Sequence, residues 1–231
     1  MPCLGSFHFL DLALSVHPAY EDILRRIRSG VPFLDVGCGL GQDIRKLALD
    51  GAPTELLFGA DLTKEYIDAG YDLFNDKDKF KGSFLAVDLF DERSALRQLR
   101  PFGVINSTNF LHMFDRDMQI RAATCLVKLL SVDKGSLIVG TMAGSILPGE
   151  KPIEGAFATL SQGKYKTTFK HDAATFTTLW EEVAHIVDAK FKIDVQLTKE
   201  VKGTEQIGGK EVRLYFNTPD IRTLVFTVER L

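Results

Sequence analysis

Between residues 31 and 142 the chain alternates short apolar runs with longer stretches of mixed polarity. The runs 31–36, 56–62, 84–88, 102–106 and 137–142 lack regular polar alternation, so each predicts a strand covered on both faces. The stretches 42–50, 64–75, 92–99 and 116–130 predict the intervening helices. In the last of these, Ile120, Ala123, Val127 and Leu130 share one helical face, which predicts the side that lies on the sheet. Strands alternating with helices need crossover connections, and these imply a parallel, doubly wound sheet. A further helix over 19–29 precedes the first strand, with Gly30 placed to end it.

After Met142 the pattern changes. Residues 143–170 are rich in Gly, Pro, Ser and Thr and predict a long loop with at most one short element, of the kind that often covers a site. Asp172 is placed to cap a helix reaching to about Ala189, with Phe176, Leu179, Trp180, Val183 and Val187 on its buried side. Residues 191–197, 212–216 and 224–228 predict antiparallel strands, with turns at Gly203 and at Gly208-Gly209. The expected fold is therefore α/β: a doubly wound, mostly parallel, seven-stranded sheet that ends in an antiparallel hairpin. With 231 residues and no linker-like tract, one domain over 1–231 is the simplest organisation. Within it, 1–30 forms an N-terminal cap segment, 31–142 a ligand-binding half, and 143–231 the lid loop, helix and last strands.

Composition narrows the function. The net charge is −3, and the main basic cluster, Arg25, Arg26 and Arg28, lies on a helix face, so nothing points to a nucleic-acid partner. Cys3, Cys38 and Cys125 have no metal or disulfide spacing, which favours free thiols in a reducing compartment. The N-terminal stretch lacks a basic start and is interrupted by Asp11 and His17, so it makes a poor signal peptide. No apolar run approaches the roughly 20 residues needed to span a membrane, and the expected location is cytoplasmic. The oligomeric state is left open, a homodimer being one option.

The chemistry concentrates where the first strand meets the first turn, Asp35-Val36-Gly37-Cys38-Gly39-Leu40-Gly41. Glycines there let the backbone approach a ligand, and the helix that follows offers unpaired N–H groups and a partial positive charge. Two features argue against a dinucleotide. Asp35 puts an anion near the place a pyrophosphate would occupy, and Gln42 stands where the dinucleotide fingerprint needs glycine. The turn suits a ligand with a cationic amino group, as S-adenosylmethionine has. Asp61 ends the second strand, where an acidic side chain can accept from both ribose hydroxyls, and Leu62 follows it. Asp88 ends the third strand and can accept from an adenine amino group, with Leu89 and Phe90 packing on the ring. Asn106 ends the fourth strand at the same edge.

This succession of Asp35, Gly37, Gly39, Gly41, Asp61 and Asp88 resembles the class I S-adenosylmethionine-dependent methyltransferases, over nearly the whole chain. The resemblance implies a Rossmann-like fold, S-adenosylmethionine as cofactor, and a cofactor site formed by Asp35, Gly37, Cys38, Gly39, Gly41, Asp61, Leu62, Asp88, Leu89 and Asn106. The runs His17-Pro18-Ala19-Tyr20, Phe33-Leu34-Asp35-Val36-Gly37-Cys38, Gly41-Gln42-Asp43-Ile44-Arg45-Lys46-Leu47, Asp50-Gly51-Ala52-Pro53 and Phe110-Leu111-His112-Met113-Phe114 are similar to fungal natural-product methyltransferases, notably of meroterpenoid pathways. That closer likeness implies a small aromatic or terpenoid acceptor methylated on a carboxyl or hydroxyl group. It begins at Pro2-Cys3-Leu4-Gly5, which in members of that group follows several dozen further residues expected to be helical and to help cover the cofactor.

Methyl transfer asks the protein mainly to align the acceptor and exclude water. A carboxylate acceptor needs no base, whereas a hydroxyl needs one within hydrogen-bond reach. His112, after the fourth strand, is the candidate base; its other reading is a histidine that lines the pocket or bonds within its loop. His8, between Phe7 and Phe9, is a candidate wall of the acceptor pocket, together with Phe110, Met113 and Phe114. His171 reads as part of a helix start, His185 as structural, and Cys38 as a small filler rather than a nucleophile. No metal site is expected. Two other classes remain open: a methyltransferase fold that binds the cofactor for regulation or to direct a cyclisation, and a macromolecular methyltransferase, which the missing basic patch disfavours.

Overall fold

The computed structural model describes residues 8–99, 101–153, 166–201, 204–207, 210–213 and 219–231. Helix α1 spans Tyr20–Arg28. There follow β1 (Phe33–Val36), α2 (Gln42–Leu49), β2 (Leu57–Asp61), α3 (Lys64–Phe74), β3 (Ser83–Ala86), β4 (Val104–Asn106), α4 (Arg116–Leu129) and β5 (Leu137–Ser145). The remainder comprises β6 (Gly149–Pro152), β7 (Thr167–Lys170), α5 (Ala173–Ile186), β8 (Phe191–Val201), β9 (Thr204–Ile207), β10 (Lys210–Arg213) and β11 (Ile221–Arg230).

Seven strands form the main sheet in the order β3-β2-β1-β4-β5-β11-β8. β1 runs parallel to β2 on one side and β4 on the other. β11 is antiparallel to both β5 and β8. The five N-terminal strands and the antiparallel end are those expected from the hydrophobic pattern, except that the edge strand β3 has exposed Ser83 and Ala86 and is not covered on both faces as expected. The order reverses between β1 and β4, and in open α/β sheets ligands bind beyond the carboxyl ends of the strands at such a point.

One face of the sheet is covered by α4 and α5, whose Leu126, Phe176, Leu179 and Trp180 pack with Ile138 and Phe226. The other is covered by α1 and α2, with Ile23, Ile27, Ile44 and Leu47 against Phe33 and Leu57. Helix starts are fixed by side chains. Asp115 accepts from the Met118 N–H, and Asp172 and Thr175 form a reciprocal capping box. The Asp172 cap agrees with the expectation, although α5 ends at Ile186 rather than near Ala189.

Three expectations need correction. The stretch 92–99 forms only a 3-10 turn over Ala95–Gln98, because Leu96 alone of its residues gives a buried apolar anchor. Residues 143–170 are not simply loop: β5 continues to Ser145, and β6 and β7 pair as an antiparallel hairpin. Of the strand placed over 212–216, only residues 212 and 213 are described, and they belong to β10, which among the described residues pairs with β9 in a separate two-stranded unit; the seventh position of the main sheet belongs to the long β8. Gly203, Gly208 and Gly209 lie outside the described residues.

Candidate active site

The glycine turn leaves the carboxyl end of β1 and is held by β2. The Ala60 carbonyl accepts from the N–H groups of Gly37 and Cys38, at 2.8 and 3.1 Å. Gly37, Gly39 and Gly41 all adopt positive φ (75°, 55° and 72°), which side chains other than glycine rarely tolerate. The space on their open sides differs. A Cβ on Gly37 would lie 3.0 Å from the Phe110 ring, one on Gly41 would collide with Phe84, and one on Gly39 would meet nothing. The turn is thus packed below and at both ends and open above Gly39. Helix α3 presses on it too, since a Cβ on Gly70 would sit 2.3 Å from the Leu40 carbonyl oxygen.

Four strand ends surround this opening. Asp35 is buried, and its Oδ1 accepts from the Asn106 side-chain amide at 2.8 Å. Thr108 donates to Asn106 Oδ1 at 2.8 Å, which fixes the orientation of that amide. Asp61 is buried and spans the mouth of the turn: Oδ2 accepts from the Gly39 N–H and Oδ1 from the Thr63 N–H, each at 2.9 Å. Each carboxylate oxygen keeps a second lone pair for a ligand hydroxyl. Leu62 beside it is 70% exposed, an unusual position for a leucine unless something packs on it. Asp88 receives the Phe90 N–H, closing a local turn that sets Leu89 inward and buried. Arg97 holds that loop by donating to the Leu89 carbonyl at 3.0 Å.

The acidic lining has electrostatic consequences. Burial pushes the Asp35 carboxyl up to about 8; the nearby Asp43 adds to this, the Asn106 hydrogen bond opposes it, and Asp61 adds further. Burial likewise raises Asp43 to about 6, opposed by the hydrogen bond from the Leu14 N–H. Cys38 is buried, and burial together with the Asp35 and Asp61 charges keeps its thiol protonated. That agrees with a filler and not a nucleophile.

Beyond β4 the chain turns through Asn109, at φ 53°, into a 3-10 turn over Leu111–Met113. Phe110 is buried over Gly37 and meets Phe114 edge-on at 5.3 Å, and Phe114 meets Phe90 at 5.7 Å. The predicted residues Phe110, His112 and Met113 therefore share one short segment next to the turn, His112 and Met113 half-buried. The hairpin clasps this segment: Lys170 Nζ donates to the His112 carbonyl, and the Phe169 N–H to the Phe114 carbonyl, both at 2.9 Å. Behind it lies buried Gln119, whose amide donates to the Phe114 and Phe169 carbonyls while Oε1 meets His171 Nε2 at 2.9 Å. His17 is also buried, with Nε2 3.1 Å from the Phe226 carbonyl oxygen; His185 is exposed on α5. Phe7 and the side chains of His8 and Phe9 lie outside the described residues.

His171, foreseen only as part of a helix start, is fully buried. Burial, reinforced by the Arg116 charge, depresses it to about 4. The unfolded chain therefore binds the proton more readily, and the stability that depends on neutral His171 is complete above about pH 6.5 and is lost as pH falls toward 4. We expect urea unfolding to show a loss of up to about 3 kcal/mol from this residue between pH 7 and pH 4. A His171→Asn variant should lose less over the same interval; an equal loss in both proteins would reject the assignment.

Two other contributors escaped the sequence reading. Arg45 on α2 pairs through Nε and Nη2 with Asp76 at 2.7 and 2.9 Å, and its Nη1 donates to the Leu40 carbonyl at 2.6 Å. Its guanidinium lies 4.5 Å from the Phe74 ring centre and 5.0 Å from that of Phe84. It is a clamp on the underside of the turn. Asp43, in the first turn of α2, accepts from the Leu14 N–H at 3.2 Å and so ties the N-terminal segment to the turn. Both residues lie in the Gly41–Leu47 run, four and two places after the last turn glycine, and that spacing was the available signal.

The switch point of the sheet, the positive-φ turn and the acids near successive strand ends lie at one edge of the sheet. No protein-family model matches the chain. Among curated relatives, the O-methyltransferase phiE of a fungal species is 38% identical over 196 residues, 84% of this chain and 63% of that protein. The Asnovolin E/Chermesin D methyltransferase nvfJ of Aspergillus novofumigatus is 36% identical over 201 residues, 84% of this chain and 67% of that one. The chain belongs to this family of fungal methyltransferases. As a family member it spans somewhat under two thirds of the length of phiE. Solved structures share the methyltransferase fold at low identity. The N-terminal domain of EvdMO1, in the presence of SAH and D-fucose, superposes with a TM-score of 0.61 at 12% identity, covering 94% of this chain and 85% of that one. The [4+2]-cyclase SpnF gives 0.58 at 15%, covering 90% and 79%. Among the described residues no helix of this family member is long and apolar enough to cross a membrane, and no cluster of His, Cys, Asp or Glu side chains is arranged to hold a metal ion.

Proposed function

We propose that the chain is an S-adenosylmethionine-dependent O-methyltransferase acting on a small aromatic or terpenoid natural product, at a carboxyl or hydroxyl group. The observation that carries this reading is the pairing of the open glycine turn with buried Asp35 and Asp61 at the switch point. The curated relatives' printed names support the reaction class. The net charge of −3 accords with a small molecule rather than a nucleic acid, and the unpatterned Cys3, Cys38 and Cys125 with action in the cytoplasm. A single domain over 1–231 would carry the site, as monomer or homodimer.

In this reading the backbone of Gly37, Cys38, Gly39 and Gly41 cradles the amino-acid end of the cofactor, and Asp35 with Asn106 receives its ammonium. Asp61 accepts from the ribose hydroxyls and Leu62 packs beside them. Asp88 takes the adenine amino group, while Leu89 and Phe90 pack on the ring. The bound cofactor supplies a methyl group already activated on a sulfonium centre. The chain's own task is orientation and exclusion of water, and orientation can contribute roughly 7–11 kcal/mol. Phe110 and Met113 line the acceptor from the segment that the β6–β7 hairpin fixes, and His8 lines it from the N-terminal segment. His112 takes the proton of a hydroxyl acceptor; a carboxylate acceptor needs no such step.

The test is calorimetry with S-adenosylmethionine, followed by mass analysis after incubation with candidate acceptors. A gain of one methylene is expected; an acceptor isomerised without mass change would replace transfer by cyclisation. No binding at millimolar cofactor would remove the proposal. His112→Ala should lower kcat by about 10²–10⁴ on a phenol or alcohol acceptor and leave transfer to a carboxylate within a few-fold. An unchanged rate on a hydroxyl acceptor would strip His112 of the base role.

A further inference from the structure

Gln119 stands near the start of α4, a polar side chain wholly out of contact with solvent. Its Nε2 lies 2.9 Å from both the Phe114 and the Phe169 carbonyl oxygens, and its Oε1 lies 2.9 Å from His171 Nε2. The two carbonyls can only accept, so the amide nitrogen faces them and the amide oxygen accepts from His171. Both amide hydrogens and the amide oxygen are thus committed to two distant stretches of chain. One is Phe114, which follows the 3-10 turn over Leu111–Met113; the other is Phe169 to His171, at the end of β7.

That 3-10 turn has little of its own to hold it. Met113 donates to the Phe110 carbonyl at 3.2 Å and Phe114 to the Leu111 carbonyl at 3.1 Å, and so short a turn does not sustain itself in isolation. Its two ends are anchored differently. At the front, the Asn109 N–H donates to the Thr141 carbonyl at 2.7 Å, and Phe110 packs over Gly37. At the back, Gln119 and the Phe169 N–H both donate to the Phe114 carbonyl. We propose that Gln119 is the positioning residue of the acceptor side: its amide ties the back of the 110–114 segment to β7 and so sets where His112 and Met113 stand. This rests on the reading above in which that segment lines the acceptor. The glycine turn is held by other bonds, to the Ala60 carbonyl and to Asp61. The cofactor and acceptor sides are therefore fixed independently, and one can be loosened without the other.

Residue-resolved amide exchange on the whole chain tests this without an acceptor. Gln119→Met, similar in size but without donors, should speed exchange at Met113 and Phe114 by about 10- to 100-fold, with Gly37 and Cys38 exchanging as in the wild type. Gln119→Glu, protonated where it is shut away from water, keeps one donor and should fall between the two; it carries the comparison if the methionine variant does not fold. Calorimetry with S-adenosylmethionine should give a Kd within about threefold of wild type for each variant, as expected for independent sites. In the wild type at about pH 7.5, where a histidine is largely neutral, the ring nitrogen shifts of His171 should show the Nε2–H tautomer. Faster exchange spread evenly over α4, β4 and the glycine turn would mean that Gln119 merely stabilises the fold, and it overturns the proposal. So do unchanged exchange at Met113 and Phe114, a cofactor affinity that falls in step with the exchange, and an Nδ1–H tautomer, which would turn the amide the other way. A wild type that binds no S-adenosylmethionine defeats the cofactor reading instead, and the exchange rates still decide whether Gln119 fixes the segment.

Discussion

Asp61→Ala is expected to weaken S-adenosylmethionine binding by about 100-fold or more, with the far-UV circular dichroism unchanged. Two losses combine. A carboxylate at the end of β2 can make two charge-assisted bonds to the ribose hydroxyls, each contributing about 1.5–3 kcal/mol. Every 1.4 kcal/mol is about tenfold in affinity. The same side chain accepts from the Gly39 N–H at 2.9 Å and so shapes the turn itself. Asp61→Asn keeps one acceptor oxygen and one geometry, so it should fall between alanine and wild type. A change of less than about threefold for alanine would remove the ribose assignment.

Arg45→Met should cost about 3–5 kcal/mol in urea unfolding at pH 7, the usual penalty for removing one partner of a buried pair. The Arg45 and Asp76 side chains are 9% and 18% exposed, so Asp76 would be left facing apolar rings without a counter-charge. The Leu40 carbonyl would lose its donor as well. Arg45→Lys should recover only part of the loss, because an ammonium cannot serve both carboxylate oxygens and the carbonyl in one plane. Removing both charges, as Arg45→Met with Asp76→Asn, should cost less than the sum of the two single changes. A penalty under about 1 kcal/mol for Arg45→Met would mean that water reaches Asp76. Because Leu40 and Gly41 are bound from below by Arg45, the same variant should also weaken cofactor binding.

The glycine turn and the acids beside it were legible because their signals are local. Three glycines within five residues, each found at positive φ, announce a turn whatever surrounds them. Asp61 and Asp88 were findable because a strand ends where its apolar run ends. The acceptor side was legible only in part. Phe110, His112 and Met113 lie on one short segment, but what fixes that segment is 50 or more residues away, in Phe169, Lys170 and His171. Gln119 looks like a polar interruption on the apolar face of α4. Two of its three hydrogen bonds, to the Phe169 carbonyl and to His171, exist only because the chain through β7 folds back across the helix start.

Sequence alone determined the element types and their order, the parallel winding, the glycine turn and the acids at the strand ends. Each depends on neighbours a few residues apart, through hydrophobic period, backbone freedom or capping. Tertiary structure decided which strand completes the sheet, since β8 and β10 are comparably strand-like and only packing of β8 against α5 and β11 separates them. It also decided the electrostatics. Asp35 and Asp43 are ordinary acids in the sequence, and both are pushed up only because the fold buries them away from water.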